Sequence, residues 1–306
     1  MILKIPKDIK FTSSYKRMNF FSCILIMFSI LVLLMKGLNL GVDFKGGTLM
    51  ELRSENSNID ISEIRQSLLK MELGDVNVKK FGKENDFLVK IEMTKANDIT
   101  FVKSIKAELS SDLASEINFR RVENVGPKVS KELLKAGLLA ISLSLAAMLF
   151  YIWIRFEWQF SLGAIAALIH DVIITIGTFS LLSYEINLSI VAAVLTIVGY
   201  SMNDTVVIFD RIRENLKKYT KIPISEISNL STNETLSRTL ITSVTTLLAL
   251  LSIYIFGGEI LKGFSFAMII GVIVGTYSSI FVATPILNYT NVNQKTIIKE
   301  EERNNQ

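Results

Sequence analysis

Residues 160–182 read FSLGAIAALIHDVIITIGTFSLL, an almost unbroken apolar run interrupted once, by His170-Asp171. As a helix the run is long enough to cross the hydrocarbon core of a bilayer, which takes roughly 20 apolar residues. Working outward, equivalent runs occupy 18–36, 134–154, 188–209, 236–257 and 262–288. The chain of 306 residues is 50% hydrophobic and only 20% charged, with its apolar residues gathered into these blocks. That distribution predicts an integral membrane protein and excludes intrinsic disorder. One cysteine, Cys23, precludes an internal disulfide, and one histidine leaves no His/Cys zinc cluster. A net charge of +4 is modest for a chain that collects basic residues for topological reasons, so nucleic acid is excluded as a partner recognised by charge.

The first run follows Lys4, Lys7, Lys10, Lys16 and Arg17. Because Lys36-Gly37-Leu38-Asn39 is no small-residue cleavage site, the run reads as a retained anchor. By the positive-inside rule, segment 1–17 and the connection bearing Arg211, Arg213, Lys217, Lys218 and Lys221 face the cytoplasm. The connections with Glu185, and with Gly257-Gly258-Glu259 and Lys262, then face outward, and the tail 291–306 returns to the cytoplasm. The amphipathic stretch from Arg211 to Lys221 suits either a membrane surface or a docking partner.

Between the first span, 18–36, and the helices of 134–290, residues 37–133 are long enough for one small external domain. Its periodicity gives a strand at 48–53, a helix through Ile61, Ile64, Leu68 and Leu69, and strands at 76–81 and 87–93 joined by a turn at 82–86. A second helix through Ile99, Val102, Ile105 and Leu109 and a strand at 117–122 follow. The expected fold is a six-helix transmembrane bundle with a ferredoxin-like (βαββαβ) domain inserted between helices 1 and 2.

Ionisable groups at membrane depth cost roughly 2.5–3.5 kcal/mol each at a helix centre and so call for a role. Asp171 lies near the middle of the third span in line with Thr175 and Thr178. Asp204 lies two-thirds along the fourth with Thr196, Tyr200 and Ser201, and Arg238 opens the fifth in line with Thr242, Thr245, Thr246 and Ala249. Carboxylates facing hydroxyls suit a proton or ion relay. The competing reading makes Asp204–Arg238 an inert buried ion pair, lets Arg238 snorkel to the interface, and leaves the hydroxyls to pack helices. Gly271, Gly275 and Ser279 form a small-residue face for close helix packing, Pro285 bends or ends the last span, and Gly126-Pro127 opens the second. The run at 41–48, GVDFKGGT, is no phosphate loop because Gly47 stands where the lysine is needed.

These motifs taken together resemble the SecF family, the smaller subunit of the SecD–SecF accessory complex of the bacterial protein-export translocase, in the resistance-nodulation-division superfamily. They are GVDFKGG at 41–47, Val125-Gly126-Pro127, His170-Asp171-Val172, GYSMNDT at 199–205, FDRIREN at 209–215, RTLITS at 238–243 and GFSF at 263–266. The resemblance covers essentially the whole chain. It implies a multi-pass protein of the inner membrane with SecD as partner, the SecYEG channel and indirectly SecA beside it, and YajC and YidC as further candidates. It also implies unfolded preprotein as substrate, a lipid surround, no enzymatic activity and no cofactor, the energy coming from a proton gradient, for which Na⁺ would serve equally. Carried over, Asp204 is the proton-accepting carboxylate, Arg238 its partner, and Asp171 a supporting residue. Asp43, Gly46, Gly47, Gly126 and Pro127 lie where the external domain meets its helices, as hinges or as rigid turns. The rival functions are a proton-driven small-molecule exporter of the same superfamily and a scaffold that stabilises the translocase.

Overall fold

The computed structural model describes residues 9–55, 59–80, 85–92, 99–219, 221–290 and 292–293. The basic residues Lys4 and Lys7, most of the predicted 82–86 turn and nearly all of the tail lie outside them. Helix α1 (Tyr15–Lys36) is followed by a helical turn α2 (Val42–Lys45), strand β1 (Gly47–Ser54), α3 (Ile61–Lys70), β2 (Val76–Lys80), β3 (Asp86–Ile91), α4 (Ile99–Asp112) and β4 (Ile117–Val125). The long helices α5 (Pro127–Arg155), α6 (Trp158–Leu182), α7 (Leu188–Lys218), α8 (Ile224–Phe256) and α9 (Glu259–Ser278) come next. A π-helical turn, Ser279–Ala283, joins α9 to α10 (Thr284–Tyr289). Among the described residues 6 helices can cross a membrane by length and composition, so the chain is a multi-pass membrane protein. It divides into a unit of Leu40–Leu139 with Glu185–Leu188 and a unit formed by the rest.

In the first unit the sheet order is β2-β3-β1-β4, with every neighbouring pair antiparallel. With α3 and α4 crossing between strands this is the ferredoxin-like arrangement expected from the alternation. Met50 and Leu52 of β1, Phe87, Val89 and Ile91 of β3, and Val78 of β2 meet Ile64 and Leu68 of α3 and Ile105 and Leu109 of α4 in one core. Leu69, expected on the same helical stripe, is 52% exposed, because a stripe through Ile61, Ile64 and Leu68 already fills the face of α3 turned to the sheet. Asp60 caps α3, accepting the Ile61 N–H at 2.8 Å. Arg53 and Asp86, opposite one another on β1 and β3, form a two-pronged pair at 2.5 and 2.6 Å.

In the second unit α6, α7 and α9 are the inner helices, while α1, α5 and α8 turn most of their apolar surface outward, as with Met27, Leu34, Phe150, Trp153 and Leu248. Phe156, Phe160 and Phe209 stack edge and face at the centre of its core. Gly271 and Gly275 carry the close crossing of α9 with α7. A Cβ at Gly271 would run into the Ile197 side chain, and one at Gly275 would lie 3.0 Å from the Cβ of Ser201. Pro285, which cannot donate a backbone bond, follows the π-helical turn, and the helix resumes in α10 without ending the span.

Helices α7 and α8 are longer than their apolar runs at 188–209 and 236–257 predict. The stretch from Arg211 onward folds against its own chain: Arg211 Nε meets Glu234 at 2.7 Å, and the Asn215 amide donates to Ser231 at 3.0 Å and to Glu234 at 2.7 Å. Ile212, Leu216 and Ile227 are buried beneath these polar contacts. The stripe read from sequence as a membrane or partner surface is thus the inner face of a helical hairpin. Segment 9–12 is tied to the same extension, since Asn233 exchanges two bonds with the Ile9 backbone and Asn229 two with Thr12.

Replacing Gly271 by leucine should prevent the α9–α7 approach and lower the thermal midpoint of the detergent-solubilised protein by several degrees, whereas Leu261→Ala on an exposed face should change it little. Asp60→Ala should cost about 1 kcal/mol, read as faster amide exchange across α3. The Ser62 hydroxyl and then the Ile61 amide hold Asp60 below the ordinary carboxylate value, and Lys70 does the same for Asp112. Groups with lowered folded values stabilise the domain above the ordinary aspartate range, and that contribution is lost as pH falls through it. Protection of domain amides should therefore decline on acidification below that range and not on a shift from neutral to mildly alkaline pH.

Candidate coupling site in the helix bundle

Asp171 of α6 is completely buried. One carboxylate oxygen accepts from Ser201 Oγ of α7 and from Ser278 Oγ of α9 at 2.8 Å, and the other lies 2.8 Å from His170 Nδ1. Three helices thus deliver donors to one carboxylate. The glycines of α9 make this reach possible: Gly275 packs on Ser201, and Ser278 lies one turn further along the same helix. A second rung follows one turn on, where Thr205 Oγ1 and Ser279 Oγ meet at 2.8 Å. His170 stacks on Tyr277 with ring centres 5.9 Å apart, and its buried Nε2 has no partner among the described residues. The Tyr277 hydroxyl donates to the Met18 carbonyl at 2.9 Å and lies 2.9 Å from Ser22, which ties α1 to the cluster. Thr175 Oγ1, one turn from Asp171, is buried and unpartnered, while Thr178 bonds back to Ile174.

Asp204 of α7 is 5% exposed and, among the described residues, makes no hydrogen bond or ion pair within 4.0 Å. Arg238 of α8 is exposed; its charge acts on Asp204 from beyond contact range. The inert ion pair weighed from sequence is therefore not formed in this arrangement, because the Arg238 side chain turns outward. The stripes divide as well. Ser201 leaves the Asp204 row for Asp171, Thr196 is exposed and bonds the Ala192 carbonyl, and the buried Tyr200 hydroxyl has no partner. On α8, Thr242 bonds Arg238 O and Thr239 O, and Thr245 bonds Ile241 O, so these hydroxyls are taken up by their own helix.

Among the described residues no group of three or more His, Cys, Asp and Glu side chains is placed to hold a metal ion. Ser278 and Tyr277 were not singled out in the sequence. The only signal for them was their place beside the Gly271-Gly275-Ser279 face, which marks where helices come close without saying what they enclose.

In the other unit the Asp43 carboxylate accepts the Leu188 N–H at 2.9 Å. Gly46 and Gly47 have φ of +81° and +126°, and added Cβ atoms would lie 3.2 Å from Val125 O and 2.6 Å from Ile91 O. At both positions the positive φ and the neighbouring carbonyl leave no room for a side chain. Pro127 is the first residue of α5, and Gly126 accepts the Ser130 N–H at 3.0 Å.

The fold and site define a class: a multi-pass bundle with a ferredoxin-like insertion and a buried carboxylate, Asp171, held by hydroxyls of two neighbouring helices. The family described as the protein export membrane protein SecD/SecF, C-terminal, matches residues 105–293, and the SecD/SecF GG motif matches 31–57. Relatives named protein translocase subunit SecF are 45% identical in Rickettsia bellii, over 92% of this chain and 94% of theirs, and 45% identical in Cereibacter sphaeroides, over 90% and 87%. The crystal structure of SecDF, a translocon-associated membrane protein from a Thermus species, superposes with a TM-score of 0.84 at 34% identity, covering 95% of this chain and 40% of that one. A SecDF structure in a super-membrane-facing form matches with a TM-score of 0.70 at 33% identity, over 100% of this chain and 41% of that one. The chain belongs to the SecF family. It spans about 40% of the SecDF chains.

Asp171→Asn keeps an acceptor for Ser201 and Ser278 and should fold. Asp171→Leu strands the Ser201 hydroxyl in the interior, at about 1–3 kcal/mol, leaves Ser278 only its bond to Gly275 O, and should reduce the folded yield recovered from membranes. Equal yields for the two variants would show that the hydroxyl bonds to Asp171 are not structural.

Proposed function

We propose that the chain acts with SecD in the bacterial cytoplasmic membrane to couple the proton gradient to the late stage of preprotein export. In this reading its termini are cytoplasmic and its ferredoxin-like domain lies on the outer side. There, preprotein emerging from the SecYEG channel, already pushed by SecA, is pulled or released, with YajC and YidC as further neighbours. The observation that carries the reading is Asp204: a nearly buried carboxylate on a membrane helix, without a hydrogen bond, within the field of a cation on the next helix. Ionised, Asp204 attracts Arg238; protonated, it does not, so proton arrival and departure bias two packings of α7 and α8. Moving one charge across the membrane releases about 2.3 kcal/mol per 100 mV, enough to bias such a pair of packings. Asp171, joined to α7 through Ser201, supports the same helix and would register its movement.

The test is preprotein translocation into inverted membrane vesicles carrying the native chain or Asp204→Asn, with and without a proton gradient, after matching assembly with SecD. The substitution should remove the gradient-dependent increment and leave the ATP-driven component. An undiminished increment would make the chain a scaffold. Repeating the native measurement with a sodium gradient alone decides between H⁺ and Na⁺ as the coupling ion.

A further inference from the structure

Residues 40–43 are bound to the connection between α6 and α7. Leu40 pairs with Ile186 as a parallel bridge, and the Gly41 N–H donates to Ile186 O at 2.8 Å. Lys90 of β3 reaches the same place, with Nζ 3.2 Å from the Glu185 carboxylate and 3.4 Å from Leu40 O. A Cβ at Gly41 would lie 2.6 Å from Glu185 Oε1 and 3.2 Å from Ile186 O, so a larger residue would push the end of the Glu185 side chain aside. The last contact is the Asp43 bond to Leu188 N, the first residue of α7. Residues Glu185–Leu188 belong to the compact unit of the ferredoxin-like domain for these reasons. On its other side the segment is equally fixed, because Gly47 enters β1 opposite Val125 and Ile91 O blocks the space beside it.

The first N–H groups of a helix have no partner within the helix, and a carboxylate there also meets the positive end of the helix dipole. Such a carboxylate usually comes from a neighbouring residue. Here it comes from Asp43, 145 positions away in the chain. Asp43 thus supplies the acceptor for the first N–H of α7, the helix that carries Ser201 and Asp204.

We infer that Asp43 is a positioning residue for α7, holding the Leu188 N–H at the start of the helix that carries Asp204. The segment with glycines 41, 46 and 47 then acts as a fixed mount for that helix start and not as a hinge. The inference rests on the proposed coupling role, and the experiment separates the failure of one from the failure of the other.

Backbones paired as a bridge lie about 4.7–4.9 Å apart, within the span of a disulfide. With Cys23→Ser as background, Leu40→Cys and Ile186→Cys can therefore be joined by oxidation in the SecD-assembled protein. Gradient-driven translocation should be the same, within about twofold, in the oxidised and reduced forms. Asp43→Ala should cut the gradient-dependent increment by roughly tenfold while leaving ATP-driven translocation intact. Asp43→Asn, whose amide oxygen still accepts from Leu188, should recover most of it, and oxidising the cysteine pair in the Asp43→Ala chain should restore it until reductant is added. Loss of the increment on oxidation of the pair, reversed by reductant, would mean that the segment must hinge and would overturn the inference. An undiminished increment in Asp43→Ala would overturn it equally. If the native chain has no gradient-dependent increment, the coupling role fails, and hydrogen exchange then decides alone: Leu188 should exchange roughly tenfold faster in Asp43→Ala, and an unchanged rate would remove the cap.

Discussion

A carboxylate inside a membrane bundle must be supplied with donors, and the close crossing of α9 over α7 supplies them to Asp171. Gly271 and Gly275 remove the side chains that would hold the two helices apart. Ser201 and Ser278 then reach the same oxygen of a residue on a third helix. The inner trio α6, α7 and α9 is defined by this contact as much as by its apolar packing. The outer helices α1, α5 and α8 surround the trio with surfaces that lipid can solvate.

The two membrane carboxylates have unlike surroundings. Asp171 is surrounded by donors and is bound into three helices, so a change in its charge disturbs a connected network. Among the described residues Asp204 has no direct partner and feels Arg238 only at a distance, so a change in its charge meets little local resistance. That contrast suits a division of labour in which Asp204 exchanges the ion and Asp171 holds the framework that responds. Ser201 on α7 lies between them, bonded to Asp171 and less than one turn from Asp204.

The ferredoxin-like domain is built by local rules. Alternating apolar residues form the strands, Asp60 starts α3, and Arg53 and Asp86 close two neighbouring strands across their register. Its attachment obeys a different rule, because backbone groups at the α6–α7 connection find their partners in a segment far away in sequence. The first turns of α8 are tied in a comparable way, by Asn229 and Asn233, which bind the backbone of residues 9–12.

The sequence by itself determined the membrane class, the apolar core of every span, the order of elements in the inserted domain and the positions of the charged residues within the spans. Hydrophobic blocks, two-residue and 3.6-residue periods and misplaced charges are all local properties of a chain. Only the tertiary structure decided which hydroxyl serves which carboxylate. A helical stripe such as Thr196, Tyr200, Ser201 and Asp204 is about a quarter of the helix circumference wide, and neighbouring helices divide it: Ser201 turns to Asp171 and Thr196 turns outward. The same limit explains why α7 and α8 run past their apolar ends, since polar helices continue wherever a partner covers them. It also explains why Asp43, read as a neighbour of glycines in a turn, proved to be the cap of a helix 145 residues away. Contacts between distant segments depend on the crossing geometry of whole elements, and no window of sequence carries that information.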